Sequence, residues 1–492
     1  MFTGLFHDVM VFIQEYIVAF TELFLINLTL SMIIIFMERK KPTSTLLWVF
    51  AINFIPIFGF ILYLILGQDL SKRKMFQEKK DIDKEIQAFA EHQLELMKSG
   101  DYTFDTPYVK EHMDMIEMFN RAEYEVLTEK NHVEILDDGP EKFEKLYQDI
   151  KKAKEAVYFQ YYIFKSDKLG NRFIELFKEK AREGVEVLIL IDGMGARNFR
   201  LKDRKALREA GVKVSIFFPG ILPRINTHMN FRNHRKIVVI DHEIGYVGGF
   251  NVGEEYVNLD SKMGYWRDTH LRIIGPTVNY LQWRFFLDFR FASKEPVGGF
   301  QTKIQFSEEG DTSMCIVTSG PDSQTNSIRN GYDKIIMKAR KDVYIQTPYF
   351  VPDDGLLYSL KIALMSGVKV HIMIPKTRDH PFVHWASLSF LGELLEYGAD
   401  VYMYTGGFLH SKIVLGDDHL TGMGTANFDI RSFELNFEVN AFMFDKEITK
   451  KLVENFHKDV KESIKYTWED YCNRSRWTKV RESISRLLAP VL

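Results

Sequence analysis

Cysteine is almost missing from this chain: Cys315 and Cys472 are the two present among 492 residues. Two distant thiols build neither a disulfide framework nor a zinc site, and they suit a reducing compartment. An excess of either charge is missing too, since 64 Lys and Arg face 67 Asp and Glu. A net charge of −3 gives no bulk attraction to polyanions, so an acidic ligand must be met by local clusters and a nucleic-acid partner is not expected. No Lys or Arg precedes Arg39, and a second apolar segment follows at once. With that combination a secretory signal peptide is not expected.

Charge is also absent from Leu46 to Leu66, "LLWVFAINFIPIFGFILYLIL", over 21 positions. As a helix this stretch spans about 30 Å, the thickness of a hydrocarbon core. Pro56 and Gly59 are tolerated in such a setting. An earlier stretch, about Ile17 to Met37, is apolar apart from Glu22 and Asn27. The pattern predicts an N-terminal pair of transmembrane helices, at about 17–37 and 46–66, within a membrane anchor of residues 1–70. Arg39, Lys40 and Lys41 lie between the two segments, and Lys72, Arg73, Lys74, Lys79 and Lys80 follow them. Five charges against three favour a cytoplasmic location for the large C-terminal part.

Residues 71–130 are polar and helix-prone and read as a stalk. Beyond them an α/β pattern occurs twice, in a first half of 131–300 and a second of 301–492. "KKAKEAVYFQYYIF" (Lys151 to Phe164) matches "MKARKDVYIQTPYF" (Met337 to Phe350), and "EGVEVLILID" (Glu183 to Asp192) matches "SGVKVHIMIP" (Ser366 to Pro375). "EAGVKVSIF" (Glu209 to Phe217) then matches "EYGADVYMY" (Glu396 to Tyr404). Alternating helices and strands predict an α/β fold of two duplicated halves, each a mixed or parallel sheet covered by helices.

Each half next spells His-x-Lys-x-x-x-x-Asp: "HRKIVVID" (His234 to Asp241) and "HSKIVLGD" (His410 to Asp417). On a strand, His234 and Lys236 share one face, as do His410 and Lys412, whereas Asp241 and Asp417 fall on the opposite parity. The two Asp therefore suit support better than chemistry. A small-residue turn ending in Asn follows each strand, "GGFN" to Asn251 and "GTAN" to Asn427. Small residues let a ligand approach the backbone, and an Asn amide donates to an anionic oxygen. Downstream lie Asp268 in "YWRDTH" and Glu438 in "NFEVN", carboxylates suited to holding one nitrogen of an imidazole. Two His, two Lys and two Asn suit a phosphodiester. One His attacks phosphorus, the other serves as acid and base, and the Lys and Asn stabilise charge on oxygen. The lysines supply the positive charge, so no metal or cofactor is expected.

These motifs resemble the phospholipase D superfamily, and nearly the whole chain is similar to its bacterial cardiolipin synthase family. The closer likeness rests on "ERKKP", "GGFNVGEEY", "YWRDTHLRIIGP", "TPYFVPD", "GFLHSK", "GTANFDIRSFELNFE" and "VRESISRLLAPVL". The resemblance implies two phospholipase D-like halves sharing one site. It also implies transfer of a phosphatidyl group between two phosphatidylglycerol molecules at a bacterial plasma membrane, giving cardiolipin and glycerol. In the superfamily the first motif usually carries the nucleophile, which points to His234, with His410 as acid and then base; the residues themselves are symmetric. The family's Asp positions map onto Asp241 and Asp417. Gly249, where many members carry Ser, removes one phosphate contact from the first half.

A hydrolase using water as acceptor would carry the same residues. The segment from Arg474 to Leu488 mixes Arg and Lys with Trp477, Ile484, Leu487 and Leu488. It suits either an ordinary terminal helix or an amphipathic segment on anionic headgroups. His380 and His384 stand four apart with no third ligand nearby in sequence, and read as structural.

Overall fold

The structure is a computed structural model describing residues 2–37, 42–55, 58–66, 84–219, 231–259, 264–293, 310–323 and 325–489. The described N-terminal helices belong to one compact unit, and the described residues from 84 onward belong to a second.

In the N-terminal unit, Phe2–Met37 is one helix of 36 residues, followed by helices Pro42–Phe54 and Phe58–Leu66. The expected spans are not recovered as drawn. The first lies inside a longer helix and the second is split in two. Among the described residues no helix is long and apolar enough to cross a membrane. The split coincides with Pro56 in the sequence, a residue without the N–H that a continuous helix needs. Helical bonding still reaches both sides: Ile55 N–H donates to Ala51 O at 2.9 Å, and Gly59 N–H to Ile55 O at 2.7 Å. The basic residues between and after the two expected spans lie outside the described residues.

The unit is built inside out. Ile34, Ile52 and Tyr63 meet in a small core, but Asn27, Ser31 and Thr45 are buried as well. Asn53 Nδ2 donates to Ser31 Oγ at 3.2 Å, linking two helices. Phe24, Leu25, Ile35, Phe36, Phe54 and Phe58 are exposed. Large apolar side chains therefore lie on the outside of this unit as well as in its small core.

Residues 84–130, expected as part of a polar stalk, instead join the second unit. Helices Lys84–Ser99 and Met113–Glu123 bury Met97, Met115, Ile116 and Phe119 in the same core as Val317, Ile328 and Tyr332. Their polar composition hid an apolar stripe at helical spacing, which suffices to seat a surface helix.

The second unit is organised by a 16-stranded sheet whose order displays the duplication. From the seam outward the first half runs Leu127–Leu136, His270–Ile274, Ile244–Gly248, Ile237–Ile240, Ala156–Tyr161, Glu186–Asp192 and Lys213–Phe217. The second runs Thr312–Ser319, Asn436–Phe444, Leu420–Gly424, Ile413–Gly416, Asp342–Gln346, Lys369–Pro375 and Asp400–Tyr404, with Ser463–Tyr466 added at its edge. The two meet antiparallel, Leu127 opposite Cys315 and Thr128 opposite Met314. Apart from the edge strand Ser463–Tyr466, which pairs antiparallel with Asp400–Tyr404, the outer pairs of each half are parallel and the inner ones antiparallel, so the sheets are mixed.

Helices cover the sheet for the reasons the sequence offers. Lys168–Arg182 starts where Asp167 accepts from Gly170 N–H and ends before Gly184, at φ +93°. Its buried Phe173 and Phe177 each contribute about 2–3 kcal/mol of transfer free energy.

Candidate active site

Each motif enters the site along a short strand that pairs with the other half. Arg232–Asn233 runs parallel to Asn436 and Phe437, and Gly407–Leu409 runs parallel to Tyr265, Trp266 and Arg267. The pairing continues into the histidines. His234 N–H donates to Phe437 O at 2.9 Å, and His410 N–H donates to Arg267 O at 2.7 Å. The next residues on the partner strands are Glu438 and Asp268.

Those carboxylates therefore stand beside the imidazoles of the opposite half. His234 Nδ1 lies 2.9 and 3.0 Å from the two Glu438 oxygens, and His410 Nδ1 lies 2.6 Å from Asp268 Oδ2. Both carboxylates are fully buried. Each places the imidazole proton on Nδ1 and leaves Nε2 for chemistry. Aromatic rings fix the planes: Tyr162 meets His234 edge-on at 5.0 Å between ring centres, and Trp266 lies 5.2 Å from His410.

Lys236 and Lys412 are buried and fold back on the motif, each ammonium donating to the backbone carbonyl of its own histidine. Burial is the largest influence on both. It brings Lys236 down to about 7 and Lys412 to about 8, against the attraction of Glu438 and Asp268. Burial likewise lowers His410 to about 4, reinforced by Lys412, and lowers His234, reinforced by Lys236. Both imidazoles are thus neutral at neutral pH. Burial pushes Asp268 and Glu438 upward, but Lys412 and His410 for one, and His234 and Lys236 for the other, hold them below the ordinary range. Each lysine also feels charges from both halves, so the two motifs share one electrostatic site.

Asp241 and Asp417, which the family resemblance would group with the motif's catalytic His and Lys and which strand parity sets apart, stand elsewhere. Asp241 accepts from the N–H groups of Lys154, Glu155 and Ala156, and Asp417 from those of Arg340, Lys341 and Asp342, at 2.8–3.1 Å. Both sit in left-handed backbone, at φ +51° and +52°. They pin the start of the neighbouring strand from the far end of Ile237–Ile240 and Ile413–Gly416, and they do not reach the imidazoles.

The asparagines are engaged within the protein. Asn251 accepts from Ile163 N–H at 3.1 Å and donates to Tyr256 Oη at 3.2 Å; Asn427 donates to Asp429 at 3.1 Å. Each amide keeps a second N–H for a ligand. A Cβ at Gly249 would fall 2.0 Å from Asp268 Oδ1, so the glycine makes room for the carboxylate. At the matching position of the second half stands Thr425, whose hydroxyl donates to the carbonyl of Val439, the residue after Glu438, at 3.2 Å.

Sequence reasoning passed over Arg235, the variable residue of the first motif. It is wholly buried, bonded to Asp288 at 2.8 and 2.9 Å and to the Glu438 carbonyl at 3.0 Å. An arginine between the motif's His and Lys, just ahead of the apolar strand Ile237–Ile240, was the available signal, because a buried guanidinium requires partners. His380, exposed, has Asp379 at 3.8 Å.

A mixed α/β sheet repeated about one seam, with two neutral imidazoles held by crossed carboxylates beside two lysines, defines a two-histidine enzyme of the phospholipase D type. Residues 146–270 and 332–460 match the family described as cardiolipin synthase, PLD-like domain, and residues 25–68 match a phospholipase D-nuclease N-terminal family. The chain is 46% identical over 473 residues to the major cardiolipin synthase ClsA of Bacillus subtilis (strain 168), covering 95% of this chain and 98% of that protein. It is 46% identical over 469 residues to a cardiolipin synthase of Oceanobacillus iheyensis, with the same coverage. The chain belongs to the cardiolipin synthase family of phospholipase D-like phosphatidyltransferases. The fold is also that of phosphatidylserine synthase from Haemophilus influenzae Rd KW20, with a TM-score of 0.60, 14% identity and coverage of 78% of this chain and 100% of that one.

Proposed function

We propose that the protein joins two phosphatidylglycerol molecules into cardiolipin, releasing glycerol, through a phospho-histidine. The observation that carries this reading is the pair of crossed His–carboxylate contacts, which gives one site two imidazoles with free Nε2 atoms. Nε2 of His234 attacks the phosphorus of the first lipid, and the bond from phosphorus to its headgroup glycerol oxygen breaks. His410 gives that oxygen its proton. His410, now neutral, takes a proton from a headgroup hydroxyl of the second lipid. That oxygen attacks phosphorus, the P–N bond breaks, and cardiolipin leaves.

Lys236 and Lys412 neutralise charge on the non-bridging oxygens, joined by the spare N–H groups of Asn251 and Asn427. His410 is neutral in the free protein, so the acid role requires it to take up a proton from solvent as substrate binds. A phosphodiester anion offsets the lysine charge that lowers the imidazole and so raises it toward neutrality.

The exposed apolar surface of the N-terminal unit supports attachment to the bacterial plasma membrane, with its apolar segments in the bilayer. The lysine and arginine asymmetry favours a cytoplasmic catalytic part. Confinement to the bilayer raises the effective concentration of an insoluble substrate. The test is incubation of the purified full chain with phosphatidylglycerol alone. Equal amounts of cardiolipin and glycerol are expected; phosphatidic acid as the sole lipid product would mean that water is the acceptor and overturn the reading.

A further inference from the structure

The helix Arg476–Leu487 is mounted with its apolar side outward. Trp477, Ile484 and Leu487 are 75%, 50% and 70% exposed. With Val480 they follow one helical stripe, at spacings of three and four residues. Two of its polar residues face the protein instead. Glu482 and Ser485 are buried, Glu482 accepts from Arg474 at 2.6 Å, and Arg486 pairs with Glu393 of the helix Pro381–Glu396. A terminal helix seated in water would turn these faces the other way.

We infer that this outward face is a second lipid contact, docking the catalytic part on an anionic bilayer surface. The exposed charges between 474 and 488 are of one sign. Arg476, Lys479 and Arg481 are exposed, and the single carboxylate of the stretch, Glu482, is the buried one. A basic apolar stripe with an interfacial tryptophan and no exposed acid complements anionic headgroups over acyl chains. The N-terminal unit shows the same inversion of polar and apolar faces. The helix is also tied to the site. Arg481 and Arg378 both lie over the Trp385 ring, at 5.5 and 4.6 Å. Asp379, next in the chain, accepts from the Tyr349 hydroxyl and acts electrostatically on Lys412. A chain of side-chain contacts therefore connects this helix with the surroundings of Lys412.

The inference rests on the phosphatidyl-transfer reading for its biological sense, but the test needs no turnover. The full chain carrying Cys472→Ser and Ile484→Cys is labelled at position 484 with an environment-sensitive fluorophore. It is then reconstituted into vesicles of phosphatidylglycerol or of phosphatidylcholine. A control label replaces exposed Lys205, whose helix Leu201–Glu209 packs by the opposite end of the sheet. Emission at 484 is expected to shift to the blue and brighten several-fold on phosphatidylglycerol but not on phosphatidylcholine, with no change at 205. No shift on phosphatidylglycerol overturns the inference, and equal shifts on both lipids overturn its anionic part. A blue shift in lipid-free detergent that grows with protein concentration overturns it in favour of a second copy of the chain covering this face.

Discussion

Replacing Lys236 with methionine is expected to stabilise the protein while abolishing its activity. The ammonium is buried, and its descent from 10.5 to about 7 corresponds to about 5 kcal/mol against the charged form. The sign follows from proton counting. Between about 7 and 10.5 the unfolded chain holds a proton on this side chain that the folded chain has released, so stability rises with pH across that window. The cost is complete below the lower value and gone above the upper one. Methionine keeps most of the stem's volume without the charge. It forfeits the 2.8 Å bond to the His234 carbonyl, worth about 1–2 kcal/mol, and withdraws one cation from Glu438. The net gain expected is about 2–4 kcal/mol near pH 6, shrinking toward zero near pH 10. Denaturant midpoints of the full chain in detergent at those two pH values give the measurement, with cardiolipin formation assayed in parallel. A methionine variant less stable near pH 6, or one whose gain does not shrink on going alkaline, would refute the reasoning. The ammonium would then be a stabilising partner of Glu438 rather than a cost carried for phosphate binding.

Three further outcomes follow from the same geometry. Glu438→Gln should lower kcat by about 10³-fold with KM little changed, because the imidazole it orients sits in the other half; Asp268→Asn should do the same through His410, and a change confined to KM would count against either. Asp241→Ala removes the acceptor of three backbone N–H groups and should cost about 3 kcal/mol of stability while leaving kcat of the folded enzyme intact; a comparable loss of kcat would return this Asp to the chemistry. Gly249→Ala places a methyl 2.0 Å from Asp268 Oδ1, so it should displace the carboxylate and reduce kcat nearly as far as Asp268→Asn; wild-type kcat would show that the space can open.

The duplication and both motifs were legible in the sequence because they depend on local pattern. Strand parity alone separated His234 and Lys236 from Asp241, and the hydrogen bonds of Asp241 to Lys154, Glu155 and Ala156 explain what the Asp does. Asp268 and Glu438 were legible as orienting groups, but not their crossing. That depends on strands such as Gly407–Leu409 pairing with Tyr265–Arg267 about 140 residues away, a long-range register that one chain's periodicity does not encode. The helices between 84 and 123 were hidden for the opposite reason. Their apolar stripes are narrow, and composition averages them into a polar stretch. The N-terminal segments were visible as apolar runs, whereas the point at which the second divides was marked by Pro56 alone.

The crossing also explains why one half alone does not make a site. In each half the strand entering the histidine pairs with the strand of the other half that carries a carboxylate. The His N–H donates to the residue just before that carboxylate, Phe437 or Arg267. Backbone pairing, not a free choice of rotamer, therefore brings imidazole and carboxylate together. The relation is isologous, as between subunits of a two-fold dimer, because what one half lends the other returns. A single half would hold a histidine with no orienting carboxylate and a carboxylate without the imidazole that hydrogen-bonds it. Burying that carboxylate unpaired costs several kcal/mol. Folding across the seam and assembling the two-imidazole site are consequently one event, and the lysines, which each half supplies to a shared field, complete it only when both halves are in place.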